Sequence, residues 1–123
     1  MTQASKNFTL AELSCKHCGA PPQPRLITEL QALRDKFGAP MVITSATRCK
    51  EHNTAIGGAP DSMHLQGLAV DVMVKPSLRW ALLADAMAMG VWRGVGVNTS
   101  FIHLDLRTDT PTVWVYGSNN KAI

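Results

Sequence analysis

The sequence predicts an α+β domain built on a small, mainly antiparallel sheet with two principal helices. Three observations predict it. A helix with its large apolar residues on one face stands early in the chain. Short β-branched runs of strand length follow it, separated by breakers. The last two of these runs are joined by Arg107 to Pro111, a stretch short enough for a hairpin.

Taken in order, the first helix runs from about Pro24 to Phe37. Proline is tolerated in a first turn, and Leu26, Ile27, Leu30, Leu33 and Phe37 share a helical face. Gly38 and Pro40 then stop it. Met41 to Ala46 reads as a strand from its β-branched centre. Thr47 to Leu68 is rich in Gly, Asn, Ser, Pro and His, and a long irregular segment inside a compact domain is usually functional. Ala69 to Val74 is the next strand. Ser77 is placed to cap a second helix running to about Met89 and ended by Gly90. Trp92 to Val97, Phe101 to Leu106 and Thr112 to Tyr116 are the remaining strands. The whole reads as one domain over residues 1–123, with 1–23 packing on its body and 118–123 as a loose tail.

Composition narrows the function classes. A hydrophobic share of 46% with 17% charged residues is that of a globular chain with a real core, and excludes disorder. The net charge of +3 is mild and the basic residues are scattered, so no nucleic-acid partner is expected. The longest apolar stretch, Ala81 to Trp92, is broken by Asp85 and Gly90 and is too short to span a bilayer. No stable membrane insertion is therefore expected. The start, MTQASKNFTLAELSC, lacks a basic n-region and a continuous apolar h-region, so synthesis in the cytoplasm without a signal peptide is expected.

Two strands carry polar residues where alternation makes them informative. In AVDVMV, Val70, Val72 and Val74 share one face, so Asp71 points the other way. In FIHLDL, Ile102, Leu104 and Leu106 form the apolar face and Phe101, His103 and Asp105 the opposite one. If both apolar sets line one core, Asp71, His103 and Asp105 converge on the other side of the sheet. His64 lies seven residues before Asp71 in the loop leading into that strand, and Gly67 permits a tight return of the chain. Two imidazoles and a carboxylate around an open cavity suit a catalytic zinc, which keeps one position for water. Taken alone, the spacing is a weak signal and leaves His103 open to the reading of a strand histidine with its hydrogen bonds satisfied.

The stretch from Ser45 to Asp71 adds weight to the metal reading. Ser45 with Arg48, Asn53, the Gly57-Gly58 pair and S-x-H-x-x-G-x-A-x-D from Ser62 to Asp71 resemble the zinc D-Ala-D-Ala carboxypeptidases and related peptidoglycan endopeptidases. G-V-G from Gly94, F-I-H-L-D from Phe101 and the N-terminal F-T-L-A-E-L-S-C fit the same pattern, so the resemblance covers nearly the whole chain. It is nearest to short, single-domain members of phage type. The resemblance implies a fold of the D-Ala-D-Ala carboxypeptidase and hedgehog kind, with zinc on the open face of the sheet. It also implies His64, Asp71 and His103 as ligands of a catalytic Zn2+. Arg48 would bind a substrate carboxylate or the developing oxyanion, or else brace the loop. Ser62 would contact substrate or merely close a turn.

One position departs from the pattern. Many family members have Asp or Glu three residues before the last zinc histidine, where this chain has Ser100. Asp105 is the nearest replacement as general base, and its other reading is a carboxylate that orients a ligand imidazole.

The function expected is hydrolysis of an amide bond in the peptide part of bacterial peptidoglycan by a monomeric lysis enzyme. It would act on the wall after release from the cell or as a virion component. Two rivals stand beside it: a non-catalytic, zinc-ribbon-containing wall-binding module built on Cys15-x-x-Cys18, and a zinc hydrolase of free D-Ala-containing peptides. Cys15-x-x-Cys18 and Cys49-x-x-His52 together make the Cys3His set of a second, structural zinc. A disulfide between two of the cysteines, or free thiols, are the alternatives.

Overall fold

The computed structural model describes residues 2–117. The tail read at 118–123 lies outside them. Four α-helices, α1 (Leu10–Leu13), α2 (Pro24–Phe37), α3 (Lys50–Ala55) and α4 (Arg79–Met89), accompany five strands, β1 (Val42–Ser45), β2 (Ala69–Met73), β3 (Gly94–Val97), β4 (Ile102–Asp105) and β5 (Thr112–Val115). Short 3-10 turns at Met63–Gln66 and Pro76–Leu78 precede β2 and α4. The α+β class read from the sequence is the one observed. No helix among the described residues is long and apolar enough to cross a membrane.

The strands form one sheet in the order β1-β2-β4-β3-β5. Three neighbouring pairs are antiparallel, and β3 pairs with β5 in parallel. The expected hairpin between the last two strands is therefore absent. The reason is edge occupancy. β4 is already hydrogen-bonded to β2 on one side and β3 on the other, so β5 cannot pair with it and adds to the outer edge of β3. Arg107 to Pro111 reverses the chain past the end of β3, so β5 runs opposite to β4 with β3 between them.

One face of the sheet meets the helices. Val70, Val72, Val95, Ile102 and Leu104 pack with Leu26, Leu30 and Leu33 of α2 and with Leu82 and Ala86 of α4 in one buried cluster. The leucines of α2 fall on a single face, as the sequence pattern requires. The N-terminal segment joins the same cluster through Phe8 and Leu13, and the Thr47 N–H donates to the Leu13 carbonyl (3.3 Å).

Local sequence explains the element ends. Gly38 follows α2 in the left-handed conformation (φ 72°), and its N–H donates to the Arg34 carbonyl. Gly90 ends α4 in the same way (φ 73°). Ser77, expected to cap α4, instead lies inside the 3-10 turn opened by Pro76, and Leu78 takes the cap position without a side-chain bond. The segment from Thr47 to Leu68 is less irregular than its composition suggests. Cys49 caps α3 through its sulfur, and Ser62 caps the Met63–Gln66 turn through its hydroxyl. The short α1 is closed by a reciprocal Thr9–Glu12 capping box.

Candidate metal centre

Register makes the site. Asp71 on β2 lies directly opposite His103 on β4, and Ala69 lies opposite Asp105. With Val70 and Ile102 turned into the core, both polar residues face the sheet's other side. His64 reaches them from the 3-10 turn before β2. Gly67 closes that turn at φ 70°, and its carbonyl accepts from the Gln23 N–H (3.0 Å).

Three donor atoms then meet. His64 Nε2 is 3.2 Å from Asp71 Oδ1, His103 Nδ1 is 3.1 Å from the same oxygen, and the two nitrogens are 3.2 Å apart. Ligands at about 2.0 Å around a tetrahedral zinc stand about 3.3 Å from one another, so this near-equilateral triangle has the size of one face of such a site. All three side chains are buried.

The proton positions agree with the geometry. His64 Nδ1 faces the Ala46 carbonyl at 2.5 Å, and a carbonyl only accepts, so Nδ1 carries the proton and Nε2 is bare. His103 Nε2 donates to Asp105 Oδ2 at 2.7 Å, which leaves Nδ1 bare. Each imidazole thus presents a lone pair to the common point, held there by a partner behind it. Burial pushes the His64 imidazole below its ordinary pKa, against the pull of Asp71. Burial acts the same way on His103, but hydrogen bonds to Asp105 and Asp71 outweigh it and raise that ring. Burial would raise the Asp71 carboxyl. Hydrogen bonds from His103 and His64 overcome this and hold it well below the usual carboxylate range.

Asp105 is fully buried and stands behind His103. Its Oδ1 accepts from the Arg107 backbone N–H (3.1 Å) and Nε (2.9 Å), and its Oδ2 from Arg107 Nη2 (2.8 Å) as well as from His103. Burial would raise this carboxyl too, but Arg107 and then His103 hold it down. β3 makes room for this network by carrying glycine. A Cβ on Gly94, opposite Asp105, would stand 2.1 Å from Oδ1.

Arg48 braces the other side. Its Nη2 donates to Asp71 Oδ2 (3.2 Å), its Nε to Ser45 Oγ (3.1 Å) and its Nη1 to Asn53 Oδ1 (3.2 Å). Asp71 is thereby divided between the triangle and the guanidinium. Two of the five guanidinium N–H groups remain for the cleft. Ser62 Oγ accepts from the His64 N–H (3.2 Å), so its hydroxyl closes the turn that carries the histidine. Ser100 sits in the exposed β3–β4 turn, where its N–H donates to Asn98 Oδ1 (2.8 Å).

Over the triangle lies an open cleft of about 750 Å³. One wall is the loop of Gly57 to Met63 and the other is aromatic, formed by Phe101, Trp114 and Tyr116. Trp114 stacks obliquely on His103 (ring centroids 5.1 Å apart), and the Arg107 guanidinium lies 5.0 Å from the Trp114 ring centroid. Arg107, Trp114 and Tyr116 were not picked out from the sequence, although period-two alternation contains them. His103, Asp105 and Arg107 share one side of β4 and its extension, and Thr112, Trp114 and Tyr116 share one side of β5.

The cysteines gather elsewhere. The sulfurs of Cys15, Cys18 and Cys49 lie within 4.8 Å of one another, and all three thiols are free. His52, expected as their fourth partner, offers the group its backbone N–H, which donates to Cys49 Sγ (3.4 Å); its ring nitrogens stand outside the cluster.

Two bare imidazole nitrogens and a carboxylate oxygen, gathered at the floor of an open cleft, define a candidate metal-dependent hydrolase. A family model for peptidase M15 matches residues 6–105, and the chain belongs to that family, whose zinc-dependent members include the D-Ala-D-Ala carboxypeptidases. The protein is accordingly a metallopeptidase by family. A search of curated proteins found no match.

Proposed function

We propose that the protein hydrolyses an amide bond in the peptide part of bacterial peptidoglycan, with one zinc held by His64, Asp71 and His103. The observation that carries this reading is the triangle of donor atoms 3.1–3.2 Å apart in the lining of an open cleft. Family membership supports it independently. A module that merely bound the wall would have no use for two imidazoles locked in the tautomers that ligate metal.

Zinc held there supplies Lewis acidity and a water made acidic enough to react at neutral pH. The protein's own groups do the rest. Asp105 and the Ala46 carbonyl fix the two imidazoles. Arg48 engages Oδ2 of Asp71, leaving Oδ1 for the metal, and lines the cleft, where its two remaining N–H groups would serve a substrate carboxylate or a developing oxyanion. Asp105 is wholly engaged behind His103, so its role is to orient that ring. Protons are then exchanged with groups that reach the cleft. Asp61 and Asp109 are the carboxylates beyond Asp71 and Asp105 that line it. The biological setting we infer is wall lysis by a phage- or prophage-type enzyme acting after release, on the strength of the resemblance to short single-domain members.

The test is digestion of purified cell wall, with mass spectrometry of the released fragments to name the bond. Activity should disappear with a chelator and return with zinc. His64→Ala, Asp71→Ala and His103→Ala should each abolish digestion while circular dichroism shows a folded chain. Near-normal activity in any of the three would sink the assignment, and cleavage of free D-Ala peptides alone would replace the substrate.

A further inference from the structure

We propose that Cys15, Cys18 and Cys49 hold a second, structural zinc, and that His17 rather than His52 closes the site. The inference goes beyond the catalytic reading and does not depend on it.

The loop from Cys15 to Ala20 closes on itself through its backbone. The Cys15 N–H donates to the Ala20 carbonyl (2.8 Å) and the Gly19 N–H to the Cys15 carbonyl (2.9 Å), with Gly19 at φ 78°. That conformation suits glycine, and it lets the chain fold back directly after the second cysteine. Cys49 arrives from the start of α3, 34 residues after Cys15. Sulfurs 2.3 Å from a tetrahedral zinc stand about 3.8 Å apart, and the three sulfurs here lie within 4.8 Å of one another. A disulfide would use only two of them.

Backbone amides converge on the sulfurs. The N–H groups of His17 (3.4 Å) and Cys49 (3.3 Å) donate to Cys15 Sγ, and that of His52 donates to Cys49 Sγ (3.4 Å). Such donors stabilise charge on sulfur and have little to offer a neutral thiol.

The fourth donor follows from position. His17 Nδ1 is 3.2 Å from Cys49 Sγ, near the roughly 3.5 Å that separates nitrogen from sulfur on one tetrahedral zinc. Its Nε2 stands 3.9 Å from the exposed Glu51 carboxylate, too long for a hydrogen bond but close enough for Glu51 to meet it as the ring turns. The ring is half-exposed and, like that of His52, lies outside the group of donors within 4.8 Å of one another, so it must turn to ligate; what sets it apart from His52 is its contact with Cys49 Sγ. With four protein donors the site has no position left for substrate or water, which makes it structural. Its effect is to tie the N-terminal segment to the chain immediately after Arg48, whose N–H donates to the His64 carbonyl (3.0 Å).

The experiment counts metal in full-length protein purified under reducing conditions. The unmodified chain should hold two zincs, and His64→Ala/His103→Ala should keep one. That variant, refilled with Co(II), should show the intense near-ultraviolet charge-transfer band of thiolate ligation. His17→Ala should weaken this site at least about tenfold while His52→Ala leaves it unchanged. Thiol titration of the unmodified protein needs no cysteine variant: all three cysteines should be protected until a chelator is added. A metal-free His64→Ala/His103→Ala protein, or three freely reactive thiols in the metal-replete chain, overturns the site. Weakening by His52→Ala with no effect of His17→Ala overturns the choice of fourth ligand. Because none of these readouts uses activity, failure here is distinguishable from failure of the peptidase reading.

Discussion

Replacing Asp105 by asparagine separates the two roles its position allows. The substitution keeps the volume and removes one charge from a fully buried side chain. It leaves one acceptor oxygen where two served the His103 Nε2 proton (2.7 Å) and Arg107, and it leaves the Arg107 guanidinium without its counter-charge. If the amide turns its NH2 toward His103, two donors face each other and the ring must flip or swing. If it turns the other way, the NH2 meets the Arg107 N–H groups instead. Either outcome loosens a ligand without deleting it.

Removing such an outer partner typically weakens metal binding about ten- to a hundredfold, or about 1.4–2.7 kcal/mol. Asp105→Asn should therefore lower zinc affinity by that factor, and turnover should recover most of its value once zinc is supplied in excess. The assay is competition against a chromophoric chelator, followed by wall digestion across a zinc titration. A general base would behave the other way, with zinc affinity intact and turnover at saturating zinc down by about a hundredfold or more. That second pattern would refute the orienting role and return Asp105 to the chemistry.

Other substitutions probe the supports around the triangle. Gly94→Ala places a Cβ 2.1 Å from Asp105 Oδ1, so it should cost about 1–3 kcal/mol, read as a lower Tm, and should weaken zinc binding as well. Arg48→Lys replaces a fork that serves Asp71, Ser45 and Asn53 by a single ammonium. Zinc affinity and wall digestion should both fall, by about tenfold, in a chain whose Tm barely moves; full activity would assign the bracing elsewhere. Leu104→Ala, on the core side of the strand that carries His103, should destabilise by about 2–5 kcal/mol in denaturant unfolding and leave zinc stoichiometry unchanged in the folded fraction.

The parts of the structure readable from sequence are those whose physics is local. Strand alternation in AVDVMV and FIHLDL places Asp71 and His103 opposite the core face whatever their neighbours are, because side-chain direction has period two. The end of α2 is equally local, since Gly38 and Pro40 permit little else. What stayed hidden depends on pairing. That β5 runs parallel beside β3 follows from β4 having both edges filled, a fact about the assembled sheet and not about Arg107 to Pro111. The same pairing brings Trp114 over Gly96 and next to His103, so the aromatic wall was unreadable until the strand order was known.

The cysteine cluster marks the boundary between the two kinds of information. Its three sulfur donors are legible by type and spacing, but the choice between two histidines is not. His52 follows Cys49 at a spacing that suits a ligand, yet α3 begins at Lys50 and commits its backbone N–H to the Cys49 sulfur. His17 sits between two cysteines, where sequence offers no reason to prefer it, and the turn around Gly19 delivers its Nδ1 to Cys49. His52 meets the sulfurs through its backbone N–H, and loop closure brings the His17 ring to Cys49. A spacing rule names residues that can reach a point only if the intervening backbone is free to bend. Here the glycine turn decides which imidazole is delivered to Cys49.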